Sequence, residues 1–349
     1  MTASYDGRRH FYSDNLAGTH PRVMQAMQDA NVGHALAYGE DPLTAEAQAR
    51  VCQLFGTEGV EAQFVFNGTA ANVLSAAAVT APFQAVVCSE TSHIHWDECG
   101  AIERFVGCRV LALPSEGGKL TPDRLDDIAE GHAEPHQSKP RLLSITQVTE
   151  MGTVYTPAEV RALADAAHAR GWLLHMDGAR LANAAAYLEI PPRAFTVDAG
   201  VDLLSLGLTK TGAMMAEAVV LFGGEASRTF PYVRKQGLQL ASKMRFISAQ
   251  FLAMLADDLW LQLASHANQM AQRLCASVRG IPGVELIHPT QANGVFVRLA
   301  PEKMKELLRE LTFAVWDPRR GEARWMTAWD TTAEDVDAFA ETVQKVMTR

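Results

Sequence analysis

The segment Trp172-Leu173-Leu174-His175-Met176-Asp177-Gly178 is an apolar run that delivers an acidic residue at its end. A second apolar run, from Val201 to Leu208, delivers the dipeptide Thr209-Lys210. Both runs have the length and composition of buried β-strands, and a helical pattern separates them. Ligands of an open parallel sheet bind just beyond the carboxyl ends of its strands. Asp177 and Lys210, which are 33 positions apart (210 − 177), are therefore predicted to face one ligand.

An acid and a lysine at one edge of a sheet suit pyridoxal 5′-phosphate. The lysine forms a Schiff base with this cofactor, and the carboxylate keeps its pyridine nitrogen protonated. Each residue alone has an ordinary structural explanation, because Asp-Gly is a common turn dipeptide and a lysine after a strand is usually solvated. Only the joint placement of Asp177 and Lys210 after two strands favours the cofactor.

The composition of the chain is typical of a globular protein with a sizeable core, with 48% apolar and 20% charged residues among 349. The net charge of −9 and the lack of a basic patch argue against nucleic acid or an anionic membrane as a partner. We expect no transmembrane helix and no signal peptide, because no long apolar run is present and the amino terminus is polar. The five cysteines are odd in number and lack CxxC spacing, which predicts reduced thiols in the cytoplasm.

Strand and helix patterns alternate from Ala62 to Lys210, which predicts an α/β fold with a mostly parallel sheet. Residues 1–20 are polar and are expected to form an N-terminal arm. We expect a large domain over residues 21–255 and a smaller α+β C-terminal domain over residues 256–349. A long helical pattern from Leu252 to Arg279 is expected to join the two domains.

A possible phosphate site lies at Asn67-Gly68-Thr69, between a strand pattern and a helix rich in small residues. A glycine and a hydroxyl residue at a helix N-terminus offer free N–H groups and a favourable dipole to a phosphate. The segment does not match the nucleotide-binding P-loop, which requires a lysine and a longer spacing. A plain turn with Asn67 as the helix cap explains the pattern as well.

The segment Glu90 to Cys99 holds two histidines, His93 and His95, among acids and a cysteine. A zinc site is conceivable there, yet no CxxC pair or HExxH helix supports it, and we predict no metal. The other interpretation is that one histidine lies flat on a cofactor ring. A hydrogen-bonded structural histidine remains the alternative.

Several cations are also candidates for binding an anion. Arg234, Lys235, Lys243 and Arg245 lie within twelve residues, and form either a solvated face or a phosphate-facing loop. Arg324 lies between apolar residues of a strand pattern, where a solvated charge is unexpected.

Taken together, the chain resembles low-specificity L-threonine aldolases, which are pyridoxal-phosphate enzymes with the aspartate-aminotransferase fold (fold type I). The resemblance spans nearly the whole chain. Many relatives have Ser-Lys-Gly-Leu-Gly at the lysine, where this chain has Thr209-Lys210-Thr211-Gly212-Ala213. The most specific motifs are His175-Met176-Asp177-Gly178-Ala179-Arg180, Thr209-Lys210, Asn67-Gly68-Thr69-Ala70-Ala71-Asn72 and Tyr38-Gly39-Glu40-Asp41.

The resemblance implies a role for each matching residue. Lys210 corresponds to the Schiff-base lysine, Asp177 to the partner of the pyridine nitrogen, and His93 to the histidine that stacks on the ring. The further cofactor-binding residues that it implies are Gly68, Thr69, Arg180, Lys235 and Arg245. The implied ligands of the substrate carboxylate are Ser13, Arg180 and Arg324. The resemblance also implies a homo-oligomer, either a dimer or a tetramer.

The implied reaction is retro-aldol cleavage of L-threonine, L-allo-threonine or an aryl-serine such as phenylserine to glycine and an aldehyde. The hydroxyl proton of the substrate needs a base. His93 is the first candidate, and His95, Glu98, Glu150 or a water molecule stay open. Two alternatives keep the cofactor and change the bond that breaks, namely a β-eliminating lyase and an aminotransferase. An alternative of another class is a non-catalytic phosphate-binding protein.

Overall fold

The computed structural model describes residues 9–56, 58–129 and 135–349, so the first eight residues of the predicted arm lie outside the described part. The α-helices are α1 (Pro21–Asp29), α2 (Pro42–Phe55), α3 (Gly68–Val79), α4 (His93–Trp96), α5 (Ala101–Phe105), α6 (Asp126–Ala129), α7 (Pro157–Ala169), α8 (Leu181–Leu188), α9 (Glu225–Gln236), α10 (Arg245–Leu255), α11 (Leu259–Val278), α12 (Pro301–Glu310) and α13 (Ala333–Met347). The strands of a large sheet are β1 (Glu61–Val65), β2 (Gln84–Ser89), β3 (Arg109–Leu113), β4 (Lys139–Thr146), β5 (Leu173–Gly178), β6 (Leu203–Gly207) and β7 (Glu217–Leu221). The strands of a second sheet are β8 (Glu285–Leu286), β9 (Gly294–Arg298), β10 (Ala314–Asp317) and β11 (Glu322–Met326).

The large sheet has the strand order β1-β7-β6-β5-β4-β2-β3. Neighbouring strands from β3 to β6 are parallel, and β7 runs antiparallel to both β6 and β1. The prediction of an α/β fold with a mostly parallel sheet is therefore confirmed. Because β5 and β6 are adjacent, with Asp177 opposite Ser205, the ends of the two predicted strands meet at one edge.

Helices cover both faces of this sheet, which explains why its strands read as continuous apolar runs. Leu203 and Val219 pack with residues of α3 and α9 on one face. Leu204 and Val220 pack with residues of α2, α7 and α10 on the other face. Helix α3 can lie close to β6 and β7 because its sequence is rich in alanine. This close packing brings the start of α3 to the end of β6.

The second sheet is antiparallel, in the order β10-β11-β9-β8, and packs against α11, α12 and α13. Trp325 and Phe339 form the centre of its core, with ring centroids 5.2 Å apart. This region corresponds to the predicted small α+β domain. Helix α11 begins in the core of the large sheet, at Trp260, and ends in the core of the small sheet, at Val278. The boundary between the two domains at residue 256 therefore stays a prediction.

The described part of the N-terminal arm connects the two sheets. Phe11 lies in the small-sheet core, where its ring centroid is 4.3 Å from that of Phe339. Further along, the N–H of His20 donates to the carbonyl of Gly212, just after Lys210. The described part of the arm is thereby held at Phe11 and at His20, and it carries Asp14 into the interior, where only 2% of that residue is exposed.

In the described part of the chain, no helix combines the length and the apolar character needed to cross a membrane.

Candidate active site

The ends of β5 and β6 open into a cavity of about 360 Å³. Asp177 reaches the cavity from β5, and Lys210 reaches it from the short 3-10 turn that follows β6. Gly68 and Thr69 line it from the first turn of α3, and His93 lines it from α4. Five residues that the sequence proposed separately are thus brought together at one edge of the sheet.

The carboxylate of Asp177 is held on both oxygens. Its Oδ1 accepts a hydrogen bond from the N–H of Ala179 at 2.9 Å, and its Oδ2 accepts one from Nδ2 of Asn72 at 2.8 Å. The same Nδ2 of Asn72 donates to Oε1 of Glu98 at 2.9 Å. Asn72 therefore fixes the orientation of Asp177 and connects it to the histidine side of the cavity.

His93 is oriented by Glu98, whose Oε1 lies 2.9 Å from Nδ1 of the imidazole. This hydrogen bond raises the pKa of His93 and outweighs the opposing effect of burial. Burial raises the pKa of Glu98, although the hydrogen bonds from His93 and Asn72 act against it. The arrangement engages Nδ1 of His93 with Glu98 and leaves proton exchange with a ligand to Nε2.

Lys210 has a lowered pKa. Burial is the largest cause, the nearby charge of Arg180 adds to it, and the acids Asp14, Asp177 and Glu217 oppose it. A lysine with a lowered pKa is present as the free amine in a larger fraction near neutral pH, and the free amine is the nucleophile. The environment of Lys210 thus suits reaction with an aldehyde.

Arg180 lines the cavity and is already paired with an acid from its own chain. Its Nε and Nη2 donate to the two carboxylate oxygens of Asp14 at 2.7 and 3.0 Å, and Asn293 donates to the same carboxylate at 3.0 Å. Burial of Asp14 favours its neutral form, yet Arg180 outweighs this effect and holds the pKa of Asp14 at about 2. Because one edge of the guanidinium is occupied, Arg180 has Nη1 left for a substrate carboxylate.

Arg324 and Ser13 do not line the cavity that holds Lys210. The guanidinium of Arg324 lies over the ring of Trp316, 5.1 Å from its centroid, and Nη2 contacts the carbonyl of Tyr12 at 3.4 Å. Burial, followed by repulsion from Arg180, lowers the pKa of Arg324 to about 10. The hydroxyl of Ser13 accepts a hydrogen bond from the N–H of Asn15, which does line the cavity.

Lys235 and Arg245 lie outside the cavity. The ammonium of Lys235 is 4.8 Å from the ring centroid of Tyr38, and Nη1 of Arg245 donates to the carbonyl of Val32 at 3.0 Å. Within the described part of the chain, neither cation is placed beside Gly68 and Thr69. Their proposed role at a phosphate stays a prediction.

Glu150 is buried beside His93. Its Oε1 accepts hydrogen bonds from the N–H of His93 and the hydroxyl of Thr146, both at 2.8 Å. Its Oε2 is buried with no hydrogen-bond partner among the described residues. Burial raises the pKa of Glu150. By contrast His95 is exposed, with its ring 5.5 Å from that of Trp96, so it does not share the cavity with the other base candidates.

Sequence reasoning missed four polar residues of this region, namely Asp14, Asn72, Glu217 and Asn293. Two of them carried a signal that could have been used. Asn72 is a polar residue in an otherwise small and apolar helix, and Glu217 is a charge at the start of a fully buried strand. A buried polar residue in such a position needs a partner.

The site fits pyridoxal 5′-phosphate. The fixed carboxylate of Asp177 suits a protonated pyridine nitrogen, and the amine of Lys210 suits the aldehyde. Gly68, which opens α3, has no Cβ to obstruct a phosphate at the helix N-terminus. Among the described residues, no group of three or more His, Cys, Asp or Glu side chains could hold a metal ion.

Comparisons with known proteins agree with this fit. The beta-eliminating lyase family matches residues 10–301. A low-specificity L-threonine aldolase from Pseudomonas aeruginosa is 44% identical over 98% of this chain and 99% of its own length. The enzyme of that name from Saccharomyces cerevisiae is 26% identical over 87% of this chain and 76% of its own length. A solved threonine aldolase structure from Leishmania major has a TM-score of 0.91 and 27% identity, covering 97% of this chain and 99% of that one.

The fold and the site define a pyridoxal-phosphate-dependent enzyme of fold type I. An aspartate aminotransferase structure from Thermus thermophilus has the same fold, with a TM-score of 0.71 and 16% identity, covering 95% of this chain and 89% of that one. The predicted fold class and cofactor are thereby confirmed. The chain belongs to the beta-eliminating lyase family and, within it, to the low-specificity L-threonine aldolases.

Proposed function

We propose that the protein cleaves the Cα–Cβ bond of L-threonine, L-allo-threonine and related β-hydroxy-α-amino acids such as phenylserine to glycine and an aldehyde. The observation that carries this proposal is the convergence of Asp177, Lys210 and His93 on one cavity, in a chain whose curated relatives bear the name of that activity.

Pyridoxal phosphate, when bound, supplies an electron sink for the carbanion that remains after the Cα–Cβ bond breaks. Asp177, whose carboxylate Asn72 and Ala179 keep in place, would hold a proton on the pyridine nitrogen. Lys210 would hold the cofactor through its aldehyde, and its free amine would be the nucleophile that releases the product. His93 would lie beside the ring.

The substrate carboxylate would require a rigid clamp, because the substrate must be held in one orientation for the Cα–Cβ bond to be the one that breaks. We assign this clamp to Nη1 of Arg180 and to Arg324, with Ser13 beside them. Asp14, which also accepts a hydrogen bond from Asn293, fixes the guanidinium of Arg180 through Nε and Nη2. Arg324 is stacked on Trp316, which limits its movement.

Arg324→Ala is expected to raise KM for L-threonine by roughly 10- to 100-fold, because charge-assisted hydrogen bonds to the carboxylate are lost. We expect a smaller change in kcat, since Arg180 remains. Arg319→Ala, which removes an exposed arginine of the same region, is the control and should leave KM unchanged. Steady-state kinetics measure both constants, and an unchanged KM in Arg324→Ala would remove this residue from the clamp.

The hydroxyl proton of the substrate is assigned to Nε2 of His93, because Glu98 engages Nδ1. His93→Phe keeps an aromatic ring over the cofactor but has no base, and should lower kcat by about 10²- to 10⁴-fold. Glu150→Gln preserves the shape of Glu150, another candidate for the base, and should lower kcat less than about 10-fold. The opposite ranking of the two variants, measured as kcat with saturating cofactor, would make Glu150 the base.

We also propose that the protein works as a homo-oligomer in the cytoplasm. Large apolar side chains are exposed near the cavity, among them Phe105 at 75% and Leu238 at 83%. Exposed apolar surface of this kind is typical of interfaces between subunits. In such an assembly, Lys235 and Arg245 of one copy are proposed to reach the phosphate bound by another. Light scattering during size-exclusion chromatography measures the state, and a monomer at assay concentration contradicts this proposal.

Nitrogen balance distinguishes aldol cleavage from the other reactions of this fold. Aldol cleavage keeps the substrate nitrogen in glycine, β-elimination releases it as ammonia, and transamination transfers it to the cofactor. We expect all the nitrogen consumed from L-threonine to be recovered as glycine. Recovery as ammonia together with a keto acid would instead support a β-eliminating lyase.

A further inference from the structure

Glu217 is a buried carboxyl group for which the proposed reaction has no use. It begins β7 opposite Gly207 of β6, and it lines the same cavity as Lys210. Gly207 makes room for it, because a Cβ at that position would lie 2.8 Å from Oε2 of Glu217. The sheet thus contains a space that the carboxyl group fills.

The neighbours of this carboxyl group lie on two sides. On one side, hydrogen bonding by the side chain and the backbone of Thr209, the residue before Lys210, lowers the pKa of the carboxyl group. Across from them is the start of α3, where a Cβ on Gly68 would lie 3.9 Å from Oε2. Glu217 therefore lies between the turn that carries Lys210 and the helix N-terminus proposed to bind the phosphate.

The charges that act on Glu217 are few. Burial is the largest effect and raises the pKa of its carboxyl group to about 7, with a further increase from Asp177. Attraction to Lys210 and the hydrogen bonds from Thr209 act in the opposite direction. Residues 65–69, at the end of β1 and the start of α3, also lie beside Glu217. None of these residues is ionisable. The carboxyl group can therefore change its charge near neutral pH.

We propose that the cofactor phosphate binds together with one proton from solvent, and that the carboxyl group of Glu217 takes up this proton. The proposal rests on the proposed function, because it requires the phosphate to lie at Gly68 and Thr69. A phosphate monoester carries a charge of about −1.5 to −2 at pH 7 and repels a neighbouring carboxylate. The new O–H bond removes that repulsion and provides a hydrogen-bond donor.

The coupling between phosphate binding and proton uptake is reciprocal. If binding takes up a proton, the affinity for the phosphate falls as the pH rises above the pKa of Glu217 in the free protein. Uptake of one full proton corresponds to about a tenfold loss of affinity per pH unit. A carboxyl group with a purely structural role would give no such dependence.

The probe for this test is pyridoxine 5′-phosphate, which has the ring and the phosphate but no aldehyde. No Schiff base with Lys210 can therefore form, and its formation does not contribute to the number of protons taken up. Calorimetric titration at pH 8 in two buffers with different ionisation enthalpies gives the number of protons taken up. We expect Glu217→Gln to take up close to one proton fewer than the wild-type protein. Protonation of the pyridine nitrogen contributes equally to both and cancels in the difference.

Glu150→Gln is the matched control, because it removes another buried carboxyl group of the same cavity. It should retain the wild-type uptake. The proposal is overturned if Glu217→Gln takes up as many protons as the wild-type protein. It is also overturned if Glu217→Gln and Glu150→Gln lose the same amount of proton uptake, because the proton would then belong to a network that both carboxyl groups share.

A second measurement uses only the wild-type protein, in case Glu217→Gln does not fold. Its affinity for pyridoxine 5′-phosphate should fall between pH 7 and pH 9 more steeply than its affinity for pyridoxine, which lacks the phosphate. Parallel pH profiles overturn the proposal. A wild-type protein that binds neither pyridoxine 5′-phosphate nor pyridoxal 5′-phosphate contradicts the proposed function itself, which is a different result.

Discussion

Lys210→Ala is expected to abolish turnover of L-threonine, with kcat lowered by at least about 10⁴-fold. The amine of Lys210 is proposed both to bind the cofactor aldehyde and to displace glycine, and no other lysine lines the cavity in the described part of the chain. The visible absorbance that arises when the cofactor is bound to a lysine should disappear in the same variant. Acetaldehyde release and an absorbance spectrum of the reconstituted protein are the two measurements.

Lys345→Ala is a suitable control, because it removes an exposed lysine in the last turn of α13. It should retain both the activity and the spectrum of the wild-type protein. Substantial acetaldehyde release by Lys210→Ala would contradict the assignment of the reactive lysine, and with it the whole account of the site.

Asp177→Asn is expected to lower kcat by about 10³-fold while cofactor binding is largely retained. An amide does not hold a proton on the pyridine nitrogen, so the electron sink is lost at the step in which the Cα–Cβ bond breaks. The amide keeps the shape of the side chain but has one acceptor oxygen, so it can retain only one of the two hydrogen bonds from Asn72 and Ala179. The measurements are kcat with L-threonine and a titration of the cofactor.

The control for this substitution is Asp165→Asn on α7, which neutralises an exposed carboxylate that does not line the cavity. Its kcat should match that of the wild-type protein. If Asp177→Asn turned over L-threonine at a near-normal rate, Asp177 would have no role in activating the cofactor.

The central pair of the site could be predicted from the sequence because it needs only local patterns and one rule of topology. The apolar runs before Asp177 and Lys210 identify two strands, and ligands bind at the carboxyl ends of parallel strands. Gly68 and Thr69 were found in the same way, from a strand–turn–helix pattern. The adjacency of β5 and β6 then brings Asp177 and Lys210 to one edge.

The supporting residues could not be predicted, since their contacts join distant parts of the chain. Asn72 and Asp177 are separated by 105 positions, and Asp14 and Asn293 by 279. No periodic pattern encodes such a pair. Only packing of α3 on β6 and β7, and of the arm between the two sheets, creates these contacts.

Lys235 and Arg245 also show that contacts between side chains are difficult to predict from the sequence. Lys235 and Arg245 are predicted cofactor ligands because positive charges cluster in that segment and because the family resemblance implies that role. Within one chain they contact Tyr38 and the carbonyl of Val32. A cluster of charges in a sequence does not determine the direction in which each side chain extends. That direction depends on the backbone of α9 and α10.

The most direct test of the central claim is the product balance of the wild-type protein, reconstituted with pyridoxal 5′-phosphate and incubated with L-threonine. Acetaldehyde and glycine are measured in the same samples over time. The account predicts that the two products form in equal amounts and match the L-threonine consumed. Consumption of L-threonine without acetaldehyde, or with acetaldehyde but no glycine, would contradict it.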